Sequence, residues 1–159
     1  MAKQQKEEEA KVIATNRKAY HDYFIVETFE FGVVLRGTEV KALREGKANL
    51  QDSYASLEQG ELWMYNLHIS PFEKGNMFNH DPKRIRKLLA HKSEIRKLTG
   101  KVKEKGFTLV PLKLYFAGRH VKVEVGLAKG KHAYDKRETL KRKESEREMH
   151  YHMKRSHER

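Results

Sequence analysis

The sequence predicts an α+β protein, mainly β. A small closed antiparallel barrel carries short flanking helices and ends in a basic tail that is disordered when free. Three observations lead there. Apolar residues gather between about 20 and 128 of a 159-residue chain, an ordinary size for one domain. Within that span, runs alternating with period two are interrupted by short helical patterns. Beyond it, from Lys129 to Arg159, eleven Lys/Arg and six Asp/Glu accompany only three large aliphatic side chains, Leu140, Met149 and Met153. Three are far too few to offset about 1–2 kcal/mol of backbone ordering per residue.

Residues 1–15 are Lys, Gln, Glu and Ala with little else, and read as a flexible leader. The domain proper is expected over 16–128 and the tail over 129–159. Tyr23 to Leu35 is aromatic and β-branched, hence strand, with Phe24, Val26 and Thr28 on one face. In GTEVKALREGKANL the period changes: Val40, Leu43 and Arg44 share one side of a short helix that Gly46 ends. Tyr54–Leu57 and Leu62–Ile69 flank Gln59-Gly60 and predict a hairpin, glycine supplying the positive φ of a tight turn. Asp81-Pro82 has the character of a helix start, and Ile85, Leu88, Leu89, Ile95 and Leu98 recur at near-helical spacing among lysines and arginines. Ser93 is a second helix start, running to about Gly106. FTLVPLKLYFAGRHVKVEVGLA returns to strand about a Gly118-Arg119 turn. Val121, Val123 and Val125 alternate with Lys122 and Glu124, and Pro111 marks an edge or bulge. Short strands with interposed helices make an oligonucleotide-binding-fold-like antiparallel barrel the expected architecture.

Lys and Arg number 34 against 22 Asp and Glu, a formal charge of +12 with a pI near 9.8. Such an excess is relieved by a polyanion, either nucleic acid or an anionic membrane surface. Cysteine is absent, which excludes disulfides and thiolate metal sites. No signal peptide, membrane span or glycosylation acceptor appears, so the reading is a soluble cytoplasmic protein.

Catalytic patterns fail. LTGKVKEKG lacks the Ser/Thr and upstream glycine of a phosphate loop, and no nucleophile elbow or His-Glu-X-X-His occurs. The tail histidines His150, His152 and His157 have nothing to fix a metal geometry. No cofactor or metal is expected, and no enzyme, His21 beside Asp22 being a pairing any protein this size offers. RNA binding draws on several places. NRKAYHDYF sets Arg17 and Lys18 beside Tyr20, His21 and Tyr23, cations for phosphates and rings for unpaired bases. Lys83 to Lys97 supplies a basic ridge. Each place by itself also reads as a solvated or packed surface.

The stretch NRKAYHDYFIVETFEFGVVLRGTEVKALREGKANLQDSYA, with DPKRIRKLLAHKSEI, LVPLKLYF and GLAKGKHAYDKRETLKRK, closely resembles the SsrA-binding (SmpB, small protein B) family over residues 12 to 145. The resemblance implies a non-enzymatic protein that binds the tRNA-like domain of transfer-messenger RNA (tmRNA). It further implies delivery to stalled ribosomes for trans-translation, with elongation factor Tu engaged indirectly through the aminoacylated RNA. By motif, Asn16, Arg17, Lys18, His21, Glu30, Lys47, Asn49, Leu89 and His91 are the implied RNA surface. His21 can stack on a splayed base, and Glu30 can accept from a base amine or 2′-hydroxyl, or orient an arginine. The family often has Asn where His91 stands. The competing reading is a general ribosomal or RNA-chaperone protein that binds structured RNA.

The resemblance also assigns the tail a place: ribosomal RNA of the decoding centre and the vacant mRNA channel, where it becomes helical. Gly130 and Lys131 match the family's Gly-Lys element, and Asp135, Lys136 and Arg137 match its Asp-Lys-Arg element. Tyr134 replaces a frequent His and His132 a common Lys. Glu138 stands four residues before Arg142, the supportive order for a helix.

Overall fold

The computed structural model describes residues 10–72, 81–103, 106–131 and 147–149. Their order is β1 (Lys11–Thr15), α1 (Arg17–Asp22), β2 (Tyr23–Val33), α2 (Gly37–Arg44), β3 (Ala48–Asn49), β4 (Tyr54–Glu58), β5 (Glu61–Tyr65), β6 (His68–Ile69), β7 (Arg86–Leu89), α3 (Lys92–Lys103), β8 (Phe107–Ala117) and β9 (His120–Gly130). Strands β8, β4, β5, β7, β2 and β9 pair antiparallel in that order, and β9 returns to β8. The sheet is therefore closed, leaving no free edge within the ring. β1 sits outside it, paired to the later half of β8, and β3 and β6 form a separate ribbon.

Local chemistry explains much of this. Gln59 and Gly60 both have positive φ (51° and 72°), joining β4 to β5 by a turn whose twist matches the strands. Val121, Val123 and Val125 face inward with Phe31, Leu62, Met64, Leu88 and Leu109, while Lys122 and Glu124 face out. The β8–β9 register shifts between Pro111 and Lys113, the bulge that proline foreshadows. A second cluster, Ala19, Val110, Leu112 and Ala128, packs α1 on the outside of the barrel. There a Cβ on Gly126 would stand 3.0 Å from Leu112 and 3.2 Å from Ile25, so a larger residue would require those side chains to give way by a few tenths of an ångström.

Four expectations are corrected. The leader was expected through residue 15, but Lys11–Thr15 is a strand, because the later half of β8, beyond its one pairing with β4 at Leu109, is left for it to pair. The barrel extends past residue 128, since Gly130 pairs with Tyr23. The buried side of α2 is Glu39, Ala42 and Leu43, whereas Arg44 is exposed. Residues 83–89 are not helical: Arg84 N–H closes a turn on Asp81 O, and Arg86–Leu89 is strand. The cause is Arg86, wholly buried at an alternate position, where it donates to Glu39 Oε2 (2.6 Å), Leu67 O (2.6 Å) and Pro82 O (3.2 Å). Glu39 also receives Arg84 at 2.5 Å and the Arg36 amide at 2.9 Å, a knot tying α2 to β7. Helical spacing of Ile85, Leu88 and Leu89 yields to that buried pair. α3 holds only the second half of the expected ridge.

Candidate nucleic-acid interface

The predicted contact residues gather at two ends of the barrel. At the end where β2 begins, Asn16 caps α1, its Oδ1 accepting from Ala19 N–H at 3.2 Å. Its Nδ2 donates to Leu50 O (3.3 Å) and Pro111 O (3.0 Å), and its own amide to Leu112 O (2.8 Å). With 5% of its surface exposed, Asn16 is a rivet between three segments rather than the base-reading group expected. What it positions is exposed. Arg17 projects outward, Lys18 reaches Asp52 at 3.2 Å, and the His21 ring is 87% exposed with Nδ1 3.0 Å from Asp22 Oδ1. Lys47 and Asn49 stand nearby on the chain that supplies Leu50. Lys47 lies 3.2 Å from Glu45, and the Asn49 side chain accepts the Gln51 amide at 2.8 Å.

The start of the tail comes to this same end. Lys131 Nζ donates to Tyr20 O at 3.2 Å and lies 5.2 Å from the centre of the Phe24 ring. No sequence signal ties Lys131 to α1; the β2–β9 ladder does. Tyr134, Asp135, Lys136 and Arg137 lie outside the described residues, as do His132 and the histidines at 150, 152 and 157.

At the opposite end, Leu89 is 57% exposed and lies over Gly32, where a Cβ would meet its Cδ1 at 3.4 Å. His91 opens α3, its amide donating to Glu94 Oε1 at 3.1 Å. Leu89, His91, Lys92, His120 and Lys122 border a cleft of about 630 Å³. Glu30 stands close by on the outer face of β2, one oxygen accepting Lys122 Nζ at 2.8 Å and the other the Tyr115 hydroxyl. Lys122 first, and Tyr115 second, hold the Glu30 carboxyl below its ordinary range, while burial and then Glu30 push the Tyr115 phenol well above its own. Glu30 is thus a charged acceptor paired with a lysine; orienting an arginine was one of the two uses expected of it, accepting from a base amine or 2′-hydroxyl the other. Lys122 and Tyr115 were missed because nothing local links them to Glu30; Lys122 is 92 residues away.

The run from Tyr23 to Gly32 separates the two ends by ~30 Å of strand. Arg17, Lys18, His21, Lys47 and Asn49 therefore form one group, and Glu30, Leu89 and His91 another. Among the described residues there is no cluster of three His, Cys, Asp or Glu suited to a metal, and no helix long and apolar enough to cross a membrane.

A family model described as SmpB protein matches residues 13–155. The chain is 63% identical over 139 residues to the SsrA-binding protein of Carboxydothermus hydrogenoformans, covering 87% of this chain and 93% of the relative. It is 57% identical over 154 residues to that of Caldicellulosiruptor saccharolyticus, covering 97% and 98%. A solved structure described as tmRNA-SmpB on a journey to the center of the bacterial ribosome is similar with a TM-score of 0.64 and 57% identity. It covers 74% of this chain and 83% of the other.

Proposed function

The chain belongs to the SmpB protein family, and from that premise we propose that it binds tmRNA and carries it to the ribosome for trans-translation. One observation carries the physical side of this reading: a closed barrel holds the candidate contact residues in two separate groups, and its cationic tail starts beside one of them. A tRNA-shaped ligand and a ribosomal cavity both need gripping at once, and two ends ~30 Å apart allow that.

In this reading Leu89, His91, Lys122 and the oriented Glu30 grip the tRNA-like domain. Leu89 offers an apolar face to a base, His91 hydrogen-bonds an edge or a 2′-hydroxyl, and Glu30 accepts from a donor, since a carboxylate repels phosphate. Arg17, Lys18 and His21, with Lys47 and Asn49, which the resemblance assigned to the tmRNA surface, are instead taken to face ribosomal RNA of the small subunit, because they lie at the other end of the barrel. Cations meet phosphates there and the His21 ring stacks on an unpaired base. The tail, with five of the chain's twelve surplus positive charges, continues from Lys131 towards the decoding centre. It enters the mRNA channel only when no message occupies it, with Asp135, Lys136 and Arg137 at the entrance. No catalytic step is proposed, and RNA incubated with the protein is expected to stay intact. A role on the ribosome makes the protein cytoplasmic.

Gel-shift titration at physiological salt tests the first half. Tight binding to tmRNA over tRNA is expected, log affinity falling against log salt by roughly 0.7–0.9 per phosphate contact. Equal affinity for tRNA, ribosomal RNA and tmRNA would favour a general RNA chaperone instead. For the tail, Lys136→Ala with Arg137→Ala should spare tmRNA binding and block peptide tagging on stalled ribosomes; normal tagging would remove the tail from the mechanism.

A further inference from the structure

α3 contains a glycine that nothing inside the described protein requires. The helix reads KSEIRKLTGKVK, Lys92 to Lys103, with Gly100 in its interior. Glycine weakens a helix there because it surrenders the most backbone freedom. The usual structural reasons are missing: Gly100 does not have the positive φ of Gly106, and a Cβ built on it meets no atom within 4 Å among the described residues. Gly126 and Gly32 differ, since each is overlain by a neighbour.

Its position on the helix supplies a reason from outside. Successive helical residues turn by about 100°, so Gly100 lies about 160° from Leu98, the wholly buried residue of α3. It is thus central on the solvent face. Lys92, Arg96 and Lys103 share that face, at i, i+4 and i+11 around a glycine at i+8, and all are exposed. None takes part in the ion pairs formed among the described residues. Lys97, about 60° from Gly100 on its other flank, is engaged, 2.7 Å from Glu27 and 5.4 Å from the centre of the Phe29 ring. Nor does helix stability account for the cations. Lys103 suits the negative end of the helix dipole, but Lys92 stands at the positive end, where a cation is unfavourable.

We propose that this face of α3 is a seat for an RNA sugar–phosphate backbone. The strand lies against the bare helix at Gly100, and Lys92, Arg96 and Lys103 neutralise its phosphates. The missing side chain lets the polyanion approach the helix, and the three cations around the gap are spaced about 6–10 Å along the axis, so each meets a different phosphate. Lys92 also borders the cleft beside Leu89 and His91, so the seat continues the contact group at that end of the barrel. This inference rests on the RNA-binding reading above and extends it to a face that reading does not use.

Gly100→Gln in the full-length protein separates fold from function. A glutamine favours the helix and fills the seat. The midpoint of thermal unfolding should rise by about 2–4 °C, while RNA affinity falls roughly tenfold. Two arms identify the RNA: gel shift with purified tmRNA, and co-sedimentation with ribosomes. A loss in either supports the seat and names its occupant. Arg96→Gln should weaken the same arm and lower its salt slope by roughly 0.7–0.9. Wild-type affinity of Gly100→Gln in both arms, with wild-type preference for tmRNA intact, would overturn the seat alone. A lower unfolding temperature would also overturn it, by revealing an internal need for glycine. If the unaltered protein shows no preference for tmRNA, it is the functional reading that fails.

Discussion

Glu39 and Glu30 are both carboxylates held by cations on neighbouring elements, yet they belong to different kinds of region. Glu39 lies in the body, its side chain 5% exposed, between Arg84 and a wholly buried Arg86. Glu30 lies on the outer barrel wall, its side chain 51% exposed, beside Lys122 at 37%. Burial of Glu39 works against its charge, but the Arg84 hydrogen bond, the Arg36 amide and the charge of Arg86 outweigh it and hold the carboxyl below its ordinary range. Glu30 reaches the same direction of shift with little burial to overcome. The lesson is that one pairing chemistry serves architecture where water is excluded and leaves an acceptor available where it is not.

The contrast can be broken most forcefully at Arg86. Arg86→Met leaves Glu39 buried with only one of its two arginine partners, Arg84, and should cost about 3–5 kcal/mol in denaturant unfolding. Unchanged stability would erase the distinction between the regions. Glu39→Gln should cost less, about 1–3 kcal/mol at neutral pH. Because the folded-state pKa of Glu39 lies below its unfolded value, its stabilisation is present above the ordinary carboxylate range near ~4.3 and is lost as pH falls through the folded value. The difference in unfolding free energy between wild type and Glu39→Gln should therefore shrink on acidification below about pH 5; a constant difference would show that the charge is irrelevant.

On the other side of the comparison, Glu30→Gln should move unfolding by no more than about 0.5 kcal/mol, as exposed pairs do. Its tmRNA affinity should fall roughly tenfold, equivalent to ~1.4 kcal/mol. A large loss of stability with unaltered binding would place Glu30 with Glu39 as architecture. The smallest loss of RNA affinity is expected from Tyr115→Phe, which removes one donor to Glu30 while Lys122 remains. A change of about 0.5–1 kcal/mol in stability is expected, together with RNA affinity within about threefold of wild type.

How much could be read beforehand depends on the range of the cause. The Gln59-Gly60 hairpin, the inward valines of β9 and the Pro111 bulge were legible because each rests on residues that are sequence neighbours. Arg86 was not. Between Ile85 and Leu88 it passes for one more cation on a helix, and its partner Glu39 is 47 residues away. Asn16 is expected as a surface group, yet it is buried. Its acceptors, Leu50 O and Pro111 O, come from segments 34 and 95 residues away, and only their convergence consumes its side chain. The division of the candidate contact residues into two ends was likewise invisible, since motif order along the chain says nothing of distance across a barrel.

By itself the amino-acid sequence determined the strand-rich class, the tight turns, the concentration of apolar residues between about 20 and 128, the cationic surplus that calls for a polyanion, and, through its motifs, the family. These follow from period, turn chemistry, composition and resemblance, all present before the chain folds. Closure of the barrel, the Glu39–Arg86 knot, the pairing of Glu30 with Lys122 and the meeting of Lys131 with α1 were decided only in three dimensions. Each needs groups far apart in the chain to be brought within a few ångströms, where lost water and gained partners set the free energy of a charge.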